Sequence, residues 1–232
     1  PHIGTDVLRR VIPAMRARII QAGGHFRFHS KMTGLLIEKN AITGCVLENE
    51  ESIRTDHLIL AIGHSARDTM ERLIQYDLAV SPKPFAMGVR IEHRQAWIDR
   101  AQYGKQAGHP DLPPASYKLV QHLPGGRSVY SFCMCPGGEV VAAASESGGV
   151  VTNGMSLYAR NGNNANSALL VNVRPGDFAS DHALAGFRFQ RDWEARAFES
   201  SGGTFHAPVQ RLGDFLAGKP SHALGQVIPS YL

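Results

Sequence analysis

Apolar residues recur at helical spacing near the start of the chain. Leu8, Val11, Ile12, Met15 and Ile19 fall on one face and predict an amphipathic helix. Thr5 stands where an N-cap belongs, and Gly23-Gly24 where the helix should stop. Pro13 lies inside it, lacks a backbone donor, and should kink a continuous helix at a cost of about 3 kcal/mol. The pattern then shortens to strand length. Residues 25–29, 32–38 and 42–48 and a stretch around Ile53 read as a β-meander, with Lys39-Asn40 as a turn. Residues 58–62 are nearly all apolar without alternation, as in a strand buried on both faces. Ser65 and Asp68 have capping-box spacing, and Ala66, Met70, Leu73 and Ile74 line one face of a helix over 66–76.

Ser81-Pro82-Lys83-Pro84 reads as a linker or domain crossing. Beyond it strands dominate, at 85–92, 117–121, 128–133, 140–144 and 169–173, with helices over 96–101 and 181–200 and a polar loop at 161–166. Gly186 weakens the second of these helices. No internal repeat is present. The pattern predicts an α/β protein with α+β character, divided into residues 1–80 and 81–232.

LILAIGHSARDT, residues 58–69, allows two chemistries. Gly63, His64 and Ser65 match the first three positions of G-x-S-x-G, the turn that presents a catalytic serine. Arg67 occupies the fifth position, where close helix–strand packing needs a small residue, and a meander precedes the strand instead of a parallel βα unit. The other reading is a glycine turn that lets a cofactor approach the backbone at Gly63, His64 and Ser65, with the next helix offering its N-terminal amides to an anion. A capped helix after a strand would explain the stretch without either.

Composition narrows the classes. The 232 residues carry 24 Lys and Arg against 20 Asp and Glu, a net charge of +4, but no basic run that would track a nucleic acid. Three cysteines, Cys45, Cys133 and Cys135, argue against a disulfide scaffold and for a reduced, cytoplasmic setting. No apolar run is long enough to span a membrane, and no signal peptide is apparent. The chain begins Pro1-His2 and stops at Ile228-Pro229-Ser230-Tyr231-Leu232, so both ends read as cuts inside a longer protein, with a processed but complete protein as the alternative.

Several blocks together resemble one family. They are PHIGTD (residues 1–6), GGHFRFHSKMTGLLIE (23–38), HLILAIGHSARDT (57–69), KPFAMGVRIEH (83–93), SFCMCPGGEVVAAASE (131–146), VVTNGMSLYARNGNNANSALLVNV (150–173) and LAGFRFQRDWEARAFESSGG (184–203). The sequence resembles the bacterial NAD(FAD)-utilising, FAD-dependent dehydrogenases, distant relatives of glutathione reductase-type flavoproteins. Members are longer. They open with a G-x-G-x-x-G turn on the FAD pyrophosphate and close with a glycine-rich flavin segment, and neither is in this sequence. The resemblance implies a central portion of a flavoprotein: part of an FAD domain over 1–80 and a strand-rich substrate or cap domain over 81–232. It implies FAD contacts from Lys31, Met32 and Thr33, where a smaller β-branched residue is more usual than Met32, and from Gly63, His64 and Ser65. It implies cofactor contacts from Asn153 and Gly154 as well, in a loop that lines the flavin or substrate. Its cofactor is FAD, with NAD(P) as a candidate second nucleotide and a small molecule as substrate. The isolated chain could equally be a non-catalytic binding module.

Three further residues could carry chemistry. Cys133 and Cys135 flank Met134 in a strand-like run, so period two would turn both thiols to one face. They read as a thiol pair near a flavin or as two small hydrophobes. No C-x-x-C or clustered histidine supplies a metal site. Arg90 could hold an anionic substrate or pair with Glu92 on its own strand.

Overall fold

The structure is a computed structural model that describes residues 2–224. Pro1 and the C-terminal stretch 228–232, read above as cut ends, lie outside the described residues.

The first helix, α1, spans Thr5–Gln21 and runs on through Pro13. Its N-cap is Gly4, not Thr5. Gly4 has φ +74°, and a Cβ there would stand 2.1 Å from the Tyr158 backbone nitrogen, so only glycine fits the approach. Thr5 is the first helical residue instead, its hydroxyl 3.4 Å from the Ser156 carbonyl. The helical period was legible, but its burial was not. No residue of α1 is buried, and Ile12 and Met15 are more than half exposed.

Strands β1 (Met32–Glu38), β2 (Ala41–Leu47) and β3 (Ser52–Arg54) form an antiparallel meander in sequence order. Leu35, Cys45 and Leu47 are its buried hydrophobic side chains. Two expected strands are not formed. Residues 25–29 and 58–62 are irregular. The second is the larger correction, because Ile59 is 91% exposed. A strand exists only where a neighbour completes its ladder, and no described segment pairs with 58–62. The chain then enters α2 (Arg67–Leu73), extended by a 3-10 turn over Ile74–Tyr76. The Tyr76 hydroxyl accepts from the Leu35 amide at 3.0 Å, which seats this helical segment on β1.

The rest of the chain builds a second sheet. Strands β4 (Phe85–Arg94), β5 (Val120–His122), β6 (Ser128–Cys135) and β9 (Asn164–Val173) pair antiparallel in the order β4-β9-β6-β5. Between β6 and β9 in sequence, β7 (Gly138–Ala142) and β8 (Thr152–Ser156) form a separate two-stranded ribbon. Central β9 begins at Asn164, so the expected polar loop gives up its last three residues to a strand whose positions 165–168 are buried. Cross-strand pairing satisfies their backbone groups, which is what lets small polar residues enter the interior. Residues 152–156, which include Asn153 and Gly154, form β8.

Helix α3 (Gln95–Tyr103) follows β4 directly. Helix α4 (Ala185–Ser200) keeps Gly186 in its first turn. A Cβ at Gly186 would lie 3.2 Å from the Phe85 ring and 3.3 Å from Phe178, so the glycine admits a cluster of Phe85, Phe178 and Phe189. A short α5 (Leu212–Leu216) was not foreseen. All described ladders are antiparallel, and the fold is mixed helix and sheet, in line with the expected α+β character.

Candidate functional site

Gly63, His64 and Ser65 form an exposed bend. Gly63 has φ +68° and open space where a Cβ would point, so the backbone there is unhindered. Ser65 caps nothing. The N-cap of α2 is Ala66, without a side-chain bond, and the Asp68 carboxylate instead accepts from the Thr69 amide at 2.8 Å. The nucleophile-elbow reading fails with the missing strand, since the turn has no rigid element in front of it. Lys31 forms an ion pair with Asp68, and Arg72 reaches the Thr33 carbonyl at 3.4 Å. These contacts set Lys31, Met32 and Thr33 beside α2, which follows on the Gly63–Ser65 bend.

The other predicted residues gather elsewhere, around Arg90. Its Nη1 donates to Asn166 Oδ1 at 2.6 Å and to the Cys133 carbonyl at 3.3 Å. Its Nη2 donates to Asn153 Oδ1 at 3.0 Å. Strands β4, β6, β8 and β9 each contribute one of these groups. Gly154 makes the approach possible, because a Cβ there would fall 2.1 Å from Asn166 Oδ1 and 2.2 Å from Arg90 Nη1. Asn166 is 0% exposed, and its Nδ2 has no partner. Glu92 does not pair with Arg90. It accepts from Asn164 Nδ2 at 2.5 Å.

The thiols do not share a face as period two predicts. The register shifts between Phe132 and Cys135, and Cys133 sits in the bulge at φ +45°. A bulge inserts a residue and breaks the alternation. Cys133 is therefore exposed and Cys135 half-buried, both free, with Cys135 Sγ turned to the Cys133 carbonyl at 3.4 Å.

Sequence reasoning missed three groups. Arg67, seen only as the residue that spoils an elbow, is 2% exposed and donates to Glu146, Glu194 and Gln190. Arg191 shares Glu146 and reaches Glu71 at 2.6 Å. Arg191 and Arg67 hold the Glu146 carboxyl below the usual range. Secondly, His93 Nε2 lies 2.9 Å from the Tyr117 hydroxyl, and burial lowers the histidine and raises the tyrosine. Thirdly, Ser156 Oγ lies 3.0 Å from His2 Nε2 where α1 meets β8. No local pattern announces any of them, because each joins residues far apart in sequence.

Among the described residues, no group of three or more His, Cys, Asp or Glu is gathered as a metal ion would need. No described helix is long and apolar enough to cross a membrane.

Comparison with known proteins gives the family. A protein of Clostridium beijerinckii, named only as uncharacterized, is 48% identical over 231 residues, which covers 99% of this chain and 43% of that protein. The chain thus spans less than half the length of this relative. The model of the family described as FAD-dependent protein, C-terminal domain-like, matches residues 84–232, which includes all of the sheet that carries Arg90. The chain belongs to this family of FAD-dependent proteins.

Proposed function

We propose that this chain is a central part of an FAD-dependent oxidoreductase, a dehydrogenase that in full length passes a hydride between a small molecule and FAD in the cytoplasm. The family match over residues 84–232 carries the reading. When bound, FAD would supply the hydride chemistry through its isoalloxazine. The residues present suit that cofactor in two respects. The Gly63–Ser65 bend has open backbone. A cation, Lys31, stands on the neighbouring element.

In this reading residues 1–80 are part of a glutathione reductase-type FAD domain, and residues 81–232 cover the flavin and bind substrate. Lys31, Met32, Thr33, Gly63, His64 and Ser65 flank the cofactor. Arg90, Asn153, Gly154, Cys133 and Cys135 face the substrate side. NAD(P) is the candidate redox partner. The exposure of Ile59, Ile12 and Met15 favours a second reading for the chain alone, a module without turnover until the rest of the protein covers those faces.

A visible spectrum of the full-length protein and of residues 1–232, each incubated with FAD and desalted, tests both. Flavin retained by the full-length protein and bleached by a nicotinamide nucleotide or a substrate supports the oxidoreductase. A full-length protein that holds no flavin overturns it. Flavin retained by residues 1–232 and bleached by a nicotinamide nucleotide or a substrate overturns the second reading.

A further inference from the structure

Several arginines of this protein are matched by acids. Arg67 meets Glu146 and Glu194, Arg191 meets Glu146 and Glu71, and Arg127 grips Asp177 with two nitrogens. On the surface Arg27 pairs with Glu51 and Arg54 with Glu38. Arg72 and Arg174 each reach a single main-chain carbonyl, whereas Arg90 is held by three acceptors. All three of its acceptors are neutral: two amide oxygens and a main-chain carbonyl. The acid on its own strand, Glu92, is turned to Asn164. Asn153 Oδ1 is fixed in turn, accepting from the Gly154 amide at 2.8 Å.

A half-buried cation is costly unless an opposite charge compensates it. Here four strands orient a guanidinium with neutral dipoles and supply no such charge. Beside it lies Asn166 Nδ2, a wholly buried donor without a partner. Buried donors are rarely left unmet, so this one calls for an explanation. Cys133, whose carbonyl accepts from Arg90, is exposed to solvent.

We propose that the Arg90 cluster, closed by Asn153, Cys133 and Asn166, binds the carboxylate of a small-molecule substrate. The stoichiometry of charge favours a carboxylate over a phosphate. One guanidinium matches one monoanion in a planar, bidentate geometry, and no second cation is among the groups bonded to Arg90. The proposal rests on the flavoprotein reading for its assay and assigns the anion to the substrate, not to the pyrophosphate of FAD.

The test uses the full-length, FAD-loaded protein with sodium benzoate, sodium propionate and inorganic phosphate as probes, read by the rise of the unfolding midpoint with probe concentration. The monocarboxylates should raise it saturably. Arg90→Gln should weaken their apparent affinity at least tenfold with FAD content unchanged. Asn153→Asp places a carboxylate against the guanidinium with almost no change in shape, and should abolish the response even if Arg90→Gln folds poorly. A response to phosphate alone, or a carboxylate response that survives Asn153→Asp, overturns the proposal. Loss of FAD from Asn153→Asp or from well-folded Arg90→Gln also overturns it, since the anion would then belong to the cofactor. A wild-type protein that holds no FAD fails the flavoprotein reading instead, and is recognised before any probe is added.

Discussion

Arg67 grips Glu194 with both guanidinium nitrogens, Nη1 to Oε2 at 2.9 Å and Nη2 to Oε1 at 2.7 Å, across 127 positions of sequence. This fork ties the first turn of α2 to the middle of α4. Glu146 completes it from the loop before β8, 2.7 Å from Nη1. Removing one partner of a buried pair leaves the others charged and unmatched, which costs about 3–5 kcal/mol. Arg67→Met should therefore lower the unfolding free energy measured in urea by about 3–5 kcal/mol, and Arg67→Met with Glu194→Met should recover part of the loss. A single variant as stable as the parent would show that the network is ornamental.

Acid should loosen the turn around Asp177. Arg127 holds this carboxyl down to about 2, aided by the Arg174 amide, against an ordinary value of 3.8. A group lowered on folding stabilises the protein above its unfolded value and loses that contribution as pH falls through the folded one. The loss belongs between about pH 4 and pH 2. Asp177→Asn should flatten the stability curve in that window and leave its slope above pH 5 unchanged. Calorimetric or fluorescence melts across the range read both.

Histidine 93 sets a second window. Burial lowers it from 6.5, so the folded protein resists a proton that the unfolded chain accepts. Stability should fall as pH drops below 6.5. His93→Phe, which keeps a ring beside Tyr117, should be less sensitive than the parent between pH 7.5 and 5.5. Equal pH dependence in the two proteins would assign the effect to other histidines.

Serine chemistry at Ser65 should be absent. The residue sits in an exposed bend without a strand before it, and α2 starts beyond it. An active-site phosphonate should leave the chain unlabelled, as judged by intact mass. Stoichiometric labelling lost in Ser65→Ala would restore the hydrolase reading.

The sequence by itself determined the local elements whose signal lies within a few residues: β1 with its limits, α1 through its apolar face and closing glycines, α4 despite Gly186, and the meander. It also brought up Arg90, Cys133, Asn153 and Gly154 as separate candidates. Tertiary structure decided what needs a distant partner. Residues 58–62 had the composition of a buried strand but have no ladder neighbour, so they stay irregular and exposed. Arg67 was read as a misfit in a motif and became a buried hub, because Glu146 and Glu194 converge on it from other elements. The bulge at Cys133 broke the alternation expected for two thiols, and four strands made one cluster of Arg90 and its acceptors. Periodicity reports which face of an element is apolar. Which face is covered, and by what charge, depends on contacts that only the folded chain brings together.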